Sequence, residues 1–145
     1  LEHNYATGDH NLGDGQRQAF EQLYPTPWSV VGRAVDLASR NLHEPVLGWE
    51  WQPHRKWKFR GTARVFWLAD THDALYTLSG AVYARHASAA GSRVGEETGG
   101  WVMYQFSRSV QFWIGYARLF PGPYLKDAGR GNSVHYPFAV WSYTL

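Results

Sequence analysis

From Trp57 to Ala69 the side chains fall into two sets that an extended strand sends to opposite faces. Trp57, Phe59, Gly61, Ala63, Val65 and Trp67 form one wholly apolar set, with a tryptophan at each end. Lys58, Arg60, Thr62, Arg64, Phe66 and Leu68 form the other, which carries three cations in its first part. Such a strand needs an apolar medium on one side and a polar one on the other. The plainer reading is an amphipathic strand of a water-soluble β protein with a solvated basic face. If the strand instead crosses a bilayer, its orientation is forced. Each cation turned to lipid would cost roughly 2–4 kcal/mol near the midplane, so all three point to the interior.

The rest of the chain has the punctuation of hairpins. Leu1 to Thr7 reads as the end of a strand. A long polar stretch from Gly8 to about Arg40 follows, with Gly8-Asp9, Asp14-Gly15, Pro25 and Pro27 as breakers. Strand patterns then cover Leu42–Gln52, Trp57–Ala69, Val94–Phe106, Val110–Phe120 and Val134–Leu145. Pro53-His54-Arg55-Lys56 and Ser107-Arg108-Ser109 are short turns, whereas 8–40, 70–93 and the stretch opened by Pro121-Gly122-Pro123 are long. Outer-membrane barrels alternate long extracellular loops with short periplasmic turns in this way. Gln16–Tyr24 and Ser29–Ala38 have mixed periodicity and could hold helix within the first loop.

Composition supports strands and interfaces: 8 Trp, 9 Tyr and 7 Phe stand against a single Met. The chain has no Cys, which removes disulfides and thiolate metal sites. A net charge of +2 without any basic run argues against nucleic acid as a partner. No apolar run approaches the roughly 20 residues of a membrane-crossing helix, a limit that does not apply to strands. Leu1-Glu2-His3-Asn4-Tyr5 has no initiator Met and no targeting signal, so an upstream segment is expected.

Several motifs resemble the alginate export domain of Gram-negative outer membranes. They are Gly8-Asp9 through Asp14-Gly15, Phe20-Glu21-Gln22-Leu23-Tyr24-Pro25-Thr26, Phe66-Trp67-Leu68-Ala69-Asp70-Thr71 with Asp73-Ala74-Leu75-Tyr76, and Gly115-Tyr116-Ala117-Arg118-Leu119-Phe120-Pro121-Gly122. They follow the family's order and span nearly the whole chain. The resemblance implies an outer-membrane β-barrel whose basic pore lets an acidic polysaccharide leave the periplasm. Two features depart from the pattern. About six crossings are counted here, fewer than the 8 strands a bacterial barrel requires, so upstream strands or other chains would complete it. The end, Trp141-Ser142-Tyr143-Thr144-Leu145, keeps the alternation but closes on Leu rather than an aromatic.

The expectation is therefore an all-β protein: residues 1–145 as the C-terminal part of one antiparallel transmembrane β-barrel domain in the outer membrane of a Gram-negative bacterium. Membrane lipid, lipopolysaccharide and an anionic polysaccharide are its expected partners, with other barrel chains or an envelope complex as further candidates. Lys58, Arg60 and Arg64 are the candidate pore lining, with Arg118 added on weaker grounds; Glu96, Glu97 and Arg108 have no readable facing. Phe20, Glu21, Gln22 and Tyr24 are candidates for a gate over the pore mouth, and Asp70 and Asp73 for a saccharide contact or loop scaffold. Asp9, Asn11 and Asp14 space oxygens as a Ca²⁺ loop does but lack the remaining ligands, and a run of Asx turns explains them as well. The scattered His residues and the absence of Gly-x-Ser-x-Gly give no catalytic constellation, so no enzyme is expected. Two rivals to the channel remain: a barrel-like structural subunit of an envelope assembly, and a soluble carbohydrate-binding β module.

Overall fold

A computed structural model describes residues 1–11, 13–24, 32–85 and 91–144. Six strands form one antiparallel sheet, interrupted by a two-stranded hairpin and one short helix. In chain order the elements are β1 (Glu2–Ala6), β2 (Leu42–His54), β3 (Trp57–Leu68), β4 (Leu75–Tyr76), β5 (Val82–Ala84), β6 (Arg93–Gln105), β7 (Val110–Pro121), α1 (Pro123–Asp127) and β8 (Val134–Tyr143). The sheet order is β1-β2-β3-β6-β7-β8, and β4-β5 stand apart. As described, the sheet is not closed: β1 and β8 are its edges. Among the described residues no helix is long and apolar enough to cross a membrane.

The strands start and stop where local chemistry dictates. Asn41 precedes β2 with φ 49, a left-handed conformation that Asn tolerates better than most residues. β2 runs through Pro53 to His54, so the turn into β3 is only Arg55-Lys56, tighter than the sequence suggested. There the Lys56 N–H donates to His54 Nδ1 at 3.2 Å. At the β6–β7 turn the Phe106 N–H donates to the Val110 carbonyl at 3.0 Å. Both short turns lie at one end of the sheet, and every long connection lies at the other.

Register assigns each side chain to a face. Arg64 pairs with Val46 and Glu97, and Glu97 in turn with Leu119. Trp49, Gly61, Gly100, Tyr116 and Pro137 make a transverse row on the opposite face. Burial differs sharply between the two. One face is bare: Leu47, Trp49, Trp51, Trp57, Phe112, Ile114, Tyr116 and Trp141 are all exposed. The other is strapped over near the long-loop end, where Leu42, Phe66, Leu68, Ala117 and Leu119 pack beneath Ala34, Leu37, Leu75, Tyr124 and Leu125. The protein's core is thus the meeting of one sheet face with its own loops, while the short-turn half of that face lies outside it.

The straps have their own local logic. Leu37 bridges to Thr77, and the Ala38 N–H donates to the Tyr76 carbonyl at 3.0 Å, so residues 36–38 extend the β4-β5 hairpin. The sequence left both hairpin and helix unread, because strands of two and three residues and a helix of five are shorter than any readable period. Helix was entertained at Gln16–Tyr24 and Ser29–Ala38. Residues 16–24 and 32–38 are not helical, and 29–31 lie outside the described residues.

Candidate functional site

The strapped face of β3 carries Lys58, Arg60 and Arg64, as the alternation predicts, and the register sets each beside a different partner. Arg64 is mostly buried, with Nη1 3.3 Å from Glu44 Oε2 and Nε 3.9 Å from Glu97 Oε1. Glu44 and Glu97 are themselves 1% and 3% exposed. Each carboxylate has further donors, because a buried charge is tolerable only when paired and fully hydrogen-bonded. Asn4 Nδ2 donates to Glu44 at 3.1 Å, and Glu97 accepts the backbone N–H groups of Arg33 at 2.9 Å and Ala34 at 2.7 Å. Glu97 therefore pins the strap to the sheet. Gly32 makes that approach possible: its φ is +60, and a Cβ there would lie 3.0 Å from the Glu97 carboxylate and 3.3 Å from Phe66.

Lys58 is paired differently, its Nζ 2.9 Å from the exposed Glu50. Arg60 is exposed, and among the described residues no carboxylate lies within ion-pair distance of it. Arg33, which sequence reasoning missed, joins this group from the strap. Its guanidinium lies 4.9 Å from the centre of the Phe138 ring, and that ring covers Gly115, where a Cβ would meet it at 2.3 Å. Burial lowers the Arg33 pKa, the nearby Arg60 lowers it further, and Glu97 opposes them. Glu50, Arg60, Trp101, Gly115 and Phe138 share one transverse row, so Arg60 and the cation on Phe138 stand at the same level of the sheet. Trp101 and Trp113 stack beside them with centroids 5.0 Å apart. A cavity of about 370 Å³ opens between Arg33, Trp113, Tyr136, Phe138 and Ser142.

The other candidates are dispersed. Arg118 is on the bare face, opposite Thr98 and His135, with its guanidinium 4.4 Å over Phe120. This corrects its grouping with the β3 cations: β7 has apolar residues on both faces, so only register can assign it. Glu97 faces the straps and Glu96 the bare side, where it pairs with Arg93. In the motif expected to form a gate, Phe20 is tied to Thr7 beside β1, Glu21 bridges Arg17 and Arg40 at 3.4 Å each, and Leu23 and Tyr24 are exposed. Gln22 is half-buried, and Pro25 and Thr26 lie outside the described residues. Among the described residues of this loop, 32–38 cross the strapped face.

Asp9, Asn11 and Asp14 each close their own Asx turn, accepting the N–H groups of Asn11, Gly13 and Gln16. Asp73 is buried scaffold: it accepts the N–H groups of Asp9 and Ala74 and the Tyr76 hydroxyl at 2.5 Å. Burial raises the Tyr76 pKa, and the bond to Asp73 adds to it. Asp70 reaches the surface between two imidazoles, with His10 Nδ1 at 2.9 Å and His72 Nδ1 at 2.8 Å. Burial pushes its carboxyl up, but the His72 N–H and the two rings outweigh that and hold it below the usual carboxylate range. Asp73 is thus buried and spent on internal hydrogen bonds, whereas Asp70 is only half-buried.

The sheet thus has one bare aromatic face and one charged face strapped from a single end, with short and long connections alternating along the chain. The family model for alginate export matches residues 1–139, and the chain belongs to the alginate export family. That family is one of export, not of catalysis. Among curated proteins none matches the sequence.

Proposed function

We propose that the chain is part of an outer-membrane β-barrel that passes an anionic polysaccharide, with the bare face against lipid and the strapped face lining the path. The observation that carries this reading is the distribution of polarity between the two faces. In the short-turn half of the sheet the bare face is aromatic and aliphatic, whereas Glu50, Lys58 and Arg60 lie on the opposite face, and the loops cover that same face further along, over Glu44, Arg64 and Glu97. The apolar band also runs obliquely. On β2 and β3 it includes Leu47, Ala63 and Val65, while the same rows on β6, β7 and β8 hold Thr98, Glu96, Arg118 and His135. Strands tilted to a membrane normal would give that offset. The open edges at β1 and β8 require further strands, in this protein or from other chains, before a bilayer could hold them.

Polymer contact falls to Arg60 and Arg33, with Lys58 available by exchange with Glu50. Arg64 is occupied by Glu44 and Glu97 and holds the wall together. Trp101 and Trp113 offer ring faces to sugars at the same level. Contacts must stay weak and multiple, since a polymer bound too tightly would not leave. Planar-bilayer conductance of the full-length protein tests this. The expected result is an anion-selective current that polyuronate blocks, less well at higher salt and several-fold less well in Arg60→Glu. No current from an inserted protein, or block unchanged in Arg60→Glu, would refute it; co-purification of a fixed partner without current would favour a structural role.

A further inference from the structure

The geometry points to a divalent transition-metal site, of the Zn²⁺ class, formed by His10, Asp70 and His72 on the long-loop side of the sheet. Among the described residues this is the one group of three potential ligands whose donor atoms lie within 4.8 Å of one another. The segments that supply them are 60 positions apart in sequence, and the two rings stand edge to face with centroids 4.4 Å apart. Two imidazole nitrogens and a carboxylate oxygen match the borderline preference of Zn²⁺ and its neighbours and suit Ca²⁺ or Mg²⁺ poorly. Three protein ligands leave at least one coordination position open to water or an external carboxylate.

What separates this trio from a chance surface cluster is the scaffold below it. Asn41, fully buried, spends its whole side-chain amide on the Asp70 segment: Oδ1 accepts the Asp70 N–H at 2.7 Å, and Nδ2 donates to the carbonyls of Asp70 at 2.9 Å and Ala74 at 3.1 Å. Asp73, also buried, takes the Asp9 N–H at 3.0 Å and so anchors the neighbour of His10 to the neighbourhood of His72. Gly8 completes the junction, since a Cβ there would fall 2.1 Å from Asn41 Oδ1. The backbone of both segments is thus fixed by buried polar groups, while the two rings above it are exposed. Tetrahedral coordination at about 2.0–2.1 Å per bond sets donor atoms about 3.3 Å apart, so the His–Asp spacings of 2.9 and 2.8 Å would widen slightly to admit an ion. A bound ion would replace the two His–Asp hydrogen bonds and tie the segment after β1 to the segment after β3.

The test is independent of transport. Untagged full-length protein in detergent is titrated calorimetrically with Zn²⁺ near neutral pH, with Ca²⁺ as control and Co²⁺ as a spectroscopic probe. The expected result is one Zn²⁺ per chain, visible Co²⁺ bands of a nitrogen–oxygen site, and no heat from Ca²⁺. His10→Ala and His72→Ala should each weaken Zn²⁺ binding roughly tenfold or more. Each variant loses one exposed hydrogen bond to Asp70, so its metal-free melting should fall only slightly below the parent. Absence of stoichiometric binding, equal binding of Ca²⁺, or undiminished affinity in the double variant would overturn the assignment.

Discussion

Glu97 shows how much one residue's facing decides. It stands beside Glu96 in the sequence, and nothing local distinguishes them, yet one carboxylate is exposed beside Arg93 and the other is buried among Arg64 and two strap N–H groups. Arg64 keeps Glu44 when Glu97 is removed, but the Arg33 and Ala34 N–H groups lose their acceptor, at a cost of about 1–3 kcal/mol for each group left unpaired. Glu97→Ala should therefore lose stability of that order in denaturant unfolding and free the strap to proteolysis between β1 and β2. Glu97→Gln, which still accepts the Arg33 and Ala34 N–H groups, should lose distinctly less. Equal losses from both variants would mean that the carboxylate charge, and not the strap's hydrogen bonds, dominates. The same dependence on tertiary context hid Arg33, which sits in a polar stretch without periodicity. It also hid the His10–Asp70–His72 group, whose members meet only after folding.

At the level of elements, the main strands were legible because the alternation from Trp57 to Leu68 is unbroken and the breakers at its ends are strong. That alternation gave the facing of Lys58, Arg60 and Arg64 without any structure. β7 is the contrast: Trp113 and Leu119 on one face and Phe112, Ile114 and Tyr116 on the other are all large and apolar, so Arg118 could be assigned only through its pairing with Thr98 and His135. A loop's aromatic content does not say which of its segments crosses the sheet; 32–38 does so because Gly32 fits against Glu97 and Phe66. The facing argument has a direct energetic consequence. Ile114→Arg, on the bare face, should destabilise the lipid-embedded protein by roughly 2–4 kcal/mol, whereas Thr62→Arg on the strapped face should cost markedly less, as read by reversible unfolding from bilayers. The opposite order would invert the facing.

For the whole molecule the central claim is that its two sheet faces meet different solvents, lipid on one side and the polymer's aqueous path on the other. The membership in the alginate export family supports that claim, and the polarity of the two faces gives it a physical cause. The sequence contains no Cys, so single cysteines can be introduced along β7 and β3 without a competing thiol in this region. The decisive measurement is nitroxide accessibility at consecutive positions 112 to 116 and 58 to 62, in the protein reconstituted into liposomes. Labels at 112, 114 and 116 and at 59 and 61 should be reached by oxygen from the lipid, and those at 113 and 115 and at 58, 60 and 62 by a water-soluble relaxation agent, alternating with period two. Uniform aqueous accessibility on both faces would contradict the account and return the chain to the class of soluble β proteins.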